Sequence, residues 1–250
     1  MGQINPKVRA HLVGLWRVSV LAVFALFLVT GQINLTDILI IIAVHWVWYM
    51  IGLEIGYHKL LAHTAFKTSP TIKYTLAFIG NLLCHPSVLA WVGIHRKHHA
   101  YSDKPQDPHS PHYPKQGLLK YLFTTDMYVD NLPAYEFEKD KTLLWIDQHQ
   151  PHLIYGMTIL LLFFLDPKTI LIWFAMPSAI SPYCLGIANY VTHQGKHNGY
   201  DYARNWYWIE ILAPGMGFHG NHHDTPGSWS LAKKYWWADV SSVIVKLIKR

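Results

Sequence analysis

Four apolar runs divide the chain. Leu12–Val29 is apolar apart from Ser19 and Arg17, and Arg17 lies near enough to one end to snorkel toward the headgroups. Ile38–Ile55 is interrupted only by His45 and Glu54. Each approaches the roughly 20 residues that a helical bilayer crossing needs. The third run, Leu153–Leu165, is short, and a crossing there requires Gln150, Pro151 and His152 to sit among the headgroups or the bilayer to thin. The fourth, Thr169 to about Val191, carries Pro177 and Pro182, which membrane helices tolerate because neighbouring groups satisfy the freed backbone. The pattern predicts an all-α integral membrane protein, one domain over 1–250, with four transmembrane helices at about 12–29, 38–55, 151–165 and 169–191. A soluble bundle of buried core helices is the alternative.

A fifth apolar stretch, Ile72–Ile94, contains Lys73, Asn81, His85 and Pro86. The basic residues decide its reading. Lys7, Arg9 and Arg17 precede or open the first span; the link between the first two spans has none, and the link between the last two has only Lys168. By the positive-inside rule both termini and both long polar segments face the cytoplasm. A crossing at 72–94 would break that rule, so the stretch is expected to lie on the cytoplasmic leaflet or dip into it. The tail from Lys233 to Arg250 mixes aromatic and aliphatic residues with lysines and is expected to form an interfacial helix over a cytoplasmic helical cap. The segment from Tyr101 to Gln150 reads as irregular, with one or two short helices.

Composition adds little beyond this. The chain is 51% hydrophobic with a formal charge of +6, which the loop bias explains without a nucleic-acid partner. Cys84 and Cys184 are isolated, with no metal-binding or disulfide spacing. The first apolar run is not followed by a small-residue cleavage site, so it reads as a span rather than a removable leader.

The chemistry lies in histidine. Three runs stand out: His58 with His63, His95 with His98 and His99, and His219 with His222 and His223. On a helix, positions i, i+3 and i+4 share a face, so each of the last two runs points into one small volume. His58 and His63 would diverge by roughly 140° on a straight α-helix, so that pair suits a helix end that bends or unwinds. Nitrogen-only ligands in this number disfavour a structural zinc and suit iron, copper or nickel. Eight imidazoles exceed one coordination sphere, which implies two metal ions.

These motifs resemble the integral-membrane fatty acid desaturases, and most of all the acyl-CoA Δ9 (stearoyl-CoA) group. Gly56-Tyr-His-Lys-Leu-Leu-Ala-His63 resembles the first histidine box of that family, with Lys59 where an arginine is usual. Trp91-Val-Gly-Ile-His-Arg-Lys-His-His99 followed by Asp107-Pro-His109 resembles the second, and Gly215-Met-Gly-Phe-His-Gly-Asn-His-His223 the third. The resemblance implies two iron ions. It assigns His58, His63, His95, His99 and His222 to one, and His98, His193, His219 and His223 to the other, with Asn189 reaching the second through water. It also implies an O2-dependent enzyme that places a cis double bond in a fatty acyl chain linked to CoA, a carrier protein or a membrane lipid. No heme-binding stretch or cysteine cluster occurs, so a separate donor of the cytochrome b5 or ferredoxin type is expected. Where the acyl-CoA group has Thr-Trp at the bend of its acyl tunnel, this chain has Leu185 and Gly186, which leaves chain length and double-bond position open.

Other residues admit two readings. Glu54 orients His58 or pairs with a lysine; Asp107 bonds a ligand histidine or opens a turn. His45 is expected to make a helix–helix hydrogen bond, and His85, His109, His112, His149, His152 and His197 to be headgroup or loop residues. A membrane di-iron hydroxylase or ketolase is the rival enzyme. A membrane metal-binding or transport protein is the rival of another class, against which the gathering of histidines at one membrane face argues.

Overall fold

In the computed structural model, residues 5–124, 134–199 and 201–250 are described; part of the polar segment, 125–133, lies outside them. The described residues are helical or irregular, with one isolated bridge between His112 and Lys115 and no strand. Helix α1 is Pro6–Val29, with proline in its first turn and Asn5 accepting from the Lys7 amide. Asn34 and Asp37 cap each other's backbone amides to start α2, Leu35–Trp48. That helix continues, wound more widely, through Tyr49–Ala62, giving one 28-residue rod. Helices α3 (Pro70–Asn81) and α4 (Val88–Tyr101) follow, then α5 (Leu118–Thr124), α6 (Lys141–Gln148) and α7 (Gln150–Leu162). A second continuous rod, Pro167–Thr192, comprises α8 (Pro167–Ile170), a wide turn at Leu171–Ala175 and α9 (Met176–Thr192). Helices α10 (His219–Asp224) and α11 (Val240–Ile248) complete the order.

Among the described residues, three helices are long and apolar enough to cross a membrane: Pro6–Val29, Leu35–Ala62 and Pro167–Thr192. Their outer faces are bare: Leu15, Leu26, Val29, Leu35, Leu39 and Trp173 are all exposed, as suits a lipid-facing surface. The expected third span is shorter than the pattern suggested. Helix α7 has 13 residues, a rise of about 20 Å, and Phe163–Leu165 continue the apolar run beyond its end. It packs along α1, where Trp16 Nε1 donates to Thr158 Oγ1 (3.1 Å) and Tyr155 Oη to the Leu12 carbonyl (3.0 Å). At the far end of the rods, Lys168 Nζ lies 2.9 Å from Asp37 Oδ2, so the second and fourth apolar runs begin side by side.

The stretch 72–94 is not one helix. It breaks over 82–87 between α3 and α4, because Leu82 ends α3 and Cys84 takes a left-handed backbone conformation (φ 56°). The break is fixed by buried amides: Gln150 Nε2 donates to the carbonyls of Asn81 and His85, and Asn81 Nδ2 to that of Ile146. Arg9 closes the same end of the molecule, donating to Asp147 Oδ2 at 2.8 Å, while Asp147 Oδ1 accepts from the Leu89 amide. His45 bridges helices as expected, its ring nitrogens 3.3 Å from the Pro177 carbonyl and 3.1 Å from that of Leu212. The tail forms α11, with Ser241, Ser242 and Val245 turned inward and Val240, Val243 and Leu247 outward.

Helix α3 lies against Tyr49–Ala62, the wide-wound part of the Leu35–Ala62 rod, at backbone contact. A Cβ on Gly52 would stand 2.7 Å from the Gly80 nitrogen, and one on Gly80 would stand 2.7 Å from the Gly52 carbonyl oxygen. Neither backbone can yield, so glycine is required at both. Gly52→Ala is expected to cost about 1–3 kcal/mol through overpacking, read as a lower midpoint of unfolding in detergent. A midpoint equal to wild type would contradict this packing.

Candidate metal centre

The winding of the Leu35–Ala62 rod explains the one histidine pair whose spacing did not fit an α-helix. The His63 amide donates to the His58 carbonyl at 3.1 Å, an i to i+5 bond, so five residues nearly complete a turn and both rings share a face. The expected bend is therefore a wider helix. The second run sits on α4 at i, i+3 and i+4, and the third on α10 with the same spacing. Gly215 admits the chain to α10 with φ 89°, and its missing Cβ leaves room for the Glu54 carboxyl, which would otherwise be 2.2 Å away. His193 lies immediately beyond the end of α9.

These elements bring all nine sequence-selected histidines together in two sets. His58, His63, His95, His99 and His222 place one ring nitrogen each within 4.8 Å of one another, and so do His98, His193, His219 and His223. Within the first set the Nε2 atoms of His58 and His222 stand 3.0 Å apart, those of His63 and His95 2.8 Å, and those of His99 and His222 2.8 Å. Within the second, His193 and His219 are 2.8 Å apart and His98 and His223 3.4 Å. Asn189, one turn before His193, donates to Tyr121 Oη at 2.7 Å beside the second set.

Four carboxylates fix which nitrogens are bare. Glu54 Oε2 lies 2.7 Å from His58 Nδ1, Asp107 2.9 Å from His98 Nδ1, Asp103 2.6 Å from His193 Nδ1 and Asp201 2.7 Å from His223 Nδ1. Each Nδ1 therefore carries the proton and donates it, leaving Nε2 as an unprotonated lone pair. His98 and His223 then aim two lone pairs at each other in a buried space, with His193 aiming a third beside them. Such an arrangement is repulsive unless a cation sits between the donors. The residues present fit two metal ions with imidazole ligands.

Glu54 makes both of its expected contacts, since Oε1 lies 3.5 Å from Lys59 Nζ. Asp107 also does both, accepting from the His109 amide as it bonds His98. Asp103 and Asp201 escaped the sequence reading. Asp103 follows the second run by only four residues and was discoverable there, whereas Asp201 lies in an irregular segment with no periodicity to mark it. His85 and His109 lie in irregular segments, as expected of loop residues, but their rings turn inward. His85 is buried against Ser181 Oγ at 2.8 Å, and both rings line the cavity below. His112 Nε2 reaches the His193 carbonyl at 2.8 Å.

Burial, then the surrounding imidazoles, holds His63 down to about 2; His95, His99, His219 and His222 are likewise far below the usual range. His223 is held to about 3 by burial, which Asp201 opposes only in part. At His98 burial is again the largest influence and pulls downward, but the charge and hydrogen bond of Asp107, with the charges of Asp103 and Asp201, together outweigh it and the pKa rises. Metal ligation requires neutral rings, and at neutral pH His63, His95, His99 and His222 supply them.

A cavity of about 960 Å³, counted to its open mouth, meets both sets. Its buried lining includes His58, His95, His98, His219, Asn189, Tyr49 and Trp91. The partly exposed lining is Arg17, Pro86, Leu122, Pro182, Tyr183, Leu185 and Gly186, which places the mouth between α1, α5 and α9. Arg17 stands over the Tyr183 ring at 5.0 Å. Gly186 is held close to α5, since a Cβ there would meet Leu122 Cδ2 at 2.6 Å.

The lowered histidines set an acid limit. Below about 6.5 the unfolded chain takes up protons that the folded rings refuse, so stability falls with falling pH, by up to about 1.4 kcal/mol per pH unit for each such ring. Denaturant unfolding of metal-free protein between about pH 8 and about pH 4 should show this loss beginning near 6.5 and continuing downward. A flat profile through pH 6 would contradict the burial described here.

Comparison with known proteins agrees with the geometry. A family model described as fatty acid desaturase matches residues 38–238. A sn-1 stearoyl-lipid 9-desaturase of Anabaena variabilis is 29% identical over 222 residues, covering 82% of this chain and 78% of that protein. A hex-5-enoyl-[acyl-carrier protein] acetylenase of Moorena producens is 28% identical, over 80% of this chain and 70% of its own. The Delta-9 acyl-lipid desaturase 1 of Arabidopsis thaliana is 27% identical, over 80% and 68%. The likeness to the acyl-CoA group is thereby corrected: two of these relatives are named as acyl-lipid enzymes and the third for an acyl-carrier-protein substrate, in keeping with the departure at Leu185 and Gly186. Histidine boxes, helical fold and matched length lead to one conclusion: this chain belongs to the fatty acid desaturase family and is an oxidoreductase.

Proposed function

We propose that this protein inserts a cis double bond into a saturated fatty acyl chain that is still attached to a membrane lipid, using two iron ions held by the nine histidines. The observation that carries the reading is the single cavity whose buried end is lined by histidines from both sets. The irons, when bound, supply oxidation of an unactivated methylene pair by O2 with two electrons from a separate donor of the cytochrome b5 or ferredoxin type. The chain's own residues do the rest. Glu54, Asp103, Asp107 and Asp201 hold four rings by Nδ1 and keep each Nε2 available. Asn189, in the cavity lining one turn before His193, would reach the second set through water. Tyr49, Leu53 and Trp91 line the cavity beside the histidines, where an alkyl chain fits and water is disfavoured.

Topology supports four crossings with the site and both termini in the cytoplasm. His63 and His193 follow the ends of the two long rods, whose beginnings meet at Asp37 and Lys168. The chain must therefore return across the bilayer between Ala62 and Pro167. Helix α7 with its exposed extension Phe163–Leu165 is the apolar segment available for that return, in a thinned bilayer. Break of the 72–94 stretch at Leu82–Ser87 suits a piece resting at the interface.

The mouth favours a lipid-linked chain over acyl-CoA. It opens beside α1 and α9, both membrane-length helices, so an acyl chain enters sideways from the leaflet. Arg17, five residues into the first apolar run, is within snorkelling reach of an ester or phosphate at that level.

Expression in a host with a saturated lipid pool should yield new cis double bonds in glycerolipid chains. His98→Ala is expected to abolish them, a loss of at least about 100-fold. New hydroxyl or keto groups in place of double bonds would favour the rival enzymes; an unchanged lipid profile with a proven donor supply would refute both. In a short pulse of labelled saturated acid, unsaturation should appear first in intact glycerolipids. Appearance first in acyl-CoA would overturn the lipid-linked reading, and Arg17→Leu is expected to raise KM for the lipid more than it lowers kcat.

A further inference from the structure

Beside the metal centre lies a second buried polar cluster that the reaction as described does not use. Lys59 follows His58, but its side chain runs the other way, toward the C-terminal segment, and is 1% exposed. An ammonium in such a place is costly unless each of its three donors finds an acceptor. Lys59 Nζ finds Asp239 Oδ2 at 2.8 Å, Ser241 Oγ at 2.6 Å and Ser242 Oγ at 3.3 Å. Its charge also lies 3.5 Å from Glu54 Oε1, and Glu54 Oε2 is the oxygen that holds His58 Nδ1. Asp239 has a second connection. It accepts from the Leu231 amide at 2.9 Å, and the Leu231 carbonyl accepts from Asn221 Nδ2, also at 2.9 Å. Asn221 precedes His222 on α10.

From Asp239, then, one path leads through Lys59 and Glu54 to His58 and another through Leu231 and Asn221 to His222. Those two rings meet, their Nε2 atoms 3.0 Å apart, within the five-histidine set. The second set is held otherwise, by Asp103, Asp107 and Asp201, and none of the contacts just traced reaches those carboxylates. We propose that Asp239 and Lys59 are positioning residues for the five-histidine set, acting on His58 through Glu54, so that docking of the C-terminal segment completes one of the two metal sites; the path through Asn221 supports α10, which carries ligands of both sets. This rests on the two-metal reading above. It makes the sites unequal: the four-histidine set is built from the second and third boxes with His193, whereas the five-histidine set needs the tail in place.

The test is metal stoichiometry in purified full-length protein loaded with ferrous iron, with release to a chelator followed in time. Wild type is expected to hold about two irons. Lys59→Met, which keeps the bulk of the stem and removes the charge, and Asp239→Asn are each expected to hold about one, with the second site's release rate unchanged. Loss of metal affinity at the affected site should be about 10–100-fold. Lys59→Arg, which restores a cation, should recover most of the second iron. The retained iron reports that the variant is folded, and Lys73→Met, which breaks a comparable ion pair with Asp140 away from the histidines (2.6 Å), should keep both. Equal stoichiometry in wild type and Lys59→Met would overturn the proposal, as would parallel loss of both irons. A wild-type protein that binds no metal would instead overturn the two-metal reading, and this inference with it.

Discussion

The structure depends on an electrostatic conflict that a bound cation relieves. Four carboxylates take the Nδ1 protons of His58, His98, His193 and His223, so that unprotonated Nε2 atoms converge in buried space. Folding alone gains nothing from aiming lone pairs at one another. The arrangement persists because the helices that carry it are fixed by unrelated contacts: Gly52 against Gly80, Arg9 against Asp147, Gln150 across the break between α3 and α4. Apolar packing and buried amides thus hold the ligands in place before any metal arrives, the preorganisation that a demanding oxidation needs.

The same helices tie the site to the membrane. Both long rods end at the histidines, one wound widely enough to bring His58 and His63 onto one face, the other delivering His193 just past its last turn. Their apolar outer surfaces and the cavity mouth between α1 and α9 place a lipid environment within reach of the oxidising centre. A substrate with no handle other than methylene groups is best recognised by shape and exclusion of water, and the lining beside the histidines is of that kind.

Much of this was legible in the sequence because the signals are periodic. The i, i+3, i+4 spacing on α4 and α10 and the lengths of three apolar runs carry over directly into structure. What was hidden depends on tertiary contact. His58 and His63 announced an anomaly, but a wide helix rather than a bend supplies the answer. His193 has no local pattern and came from family resemblance. Asp201 and the link from Lys59 to Asp239 join residues 22 and 180 positions apart, distances at which a single sequence carries no register. The inward turn of His85 and His109 toward the cavity was missed for the same reason: loop-like neighbours in sequence say nothing of what packs over them. The third apolar run was read by composition, yet its helix stops at Leu162 after 13 residues.

Anomalous diffraction at the iron absorption edge, on crystals of protein loaded anaerobically with ferrous iron, tests the central claim most directly. Two separate peaks are predicted, one among His58, His63, His95, His99 and His222, the other among His98, His193, His219 and His223. A single peak shared by both sets, or none at either, would contradict it.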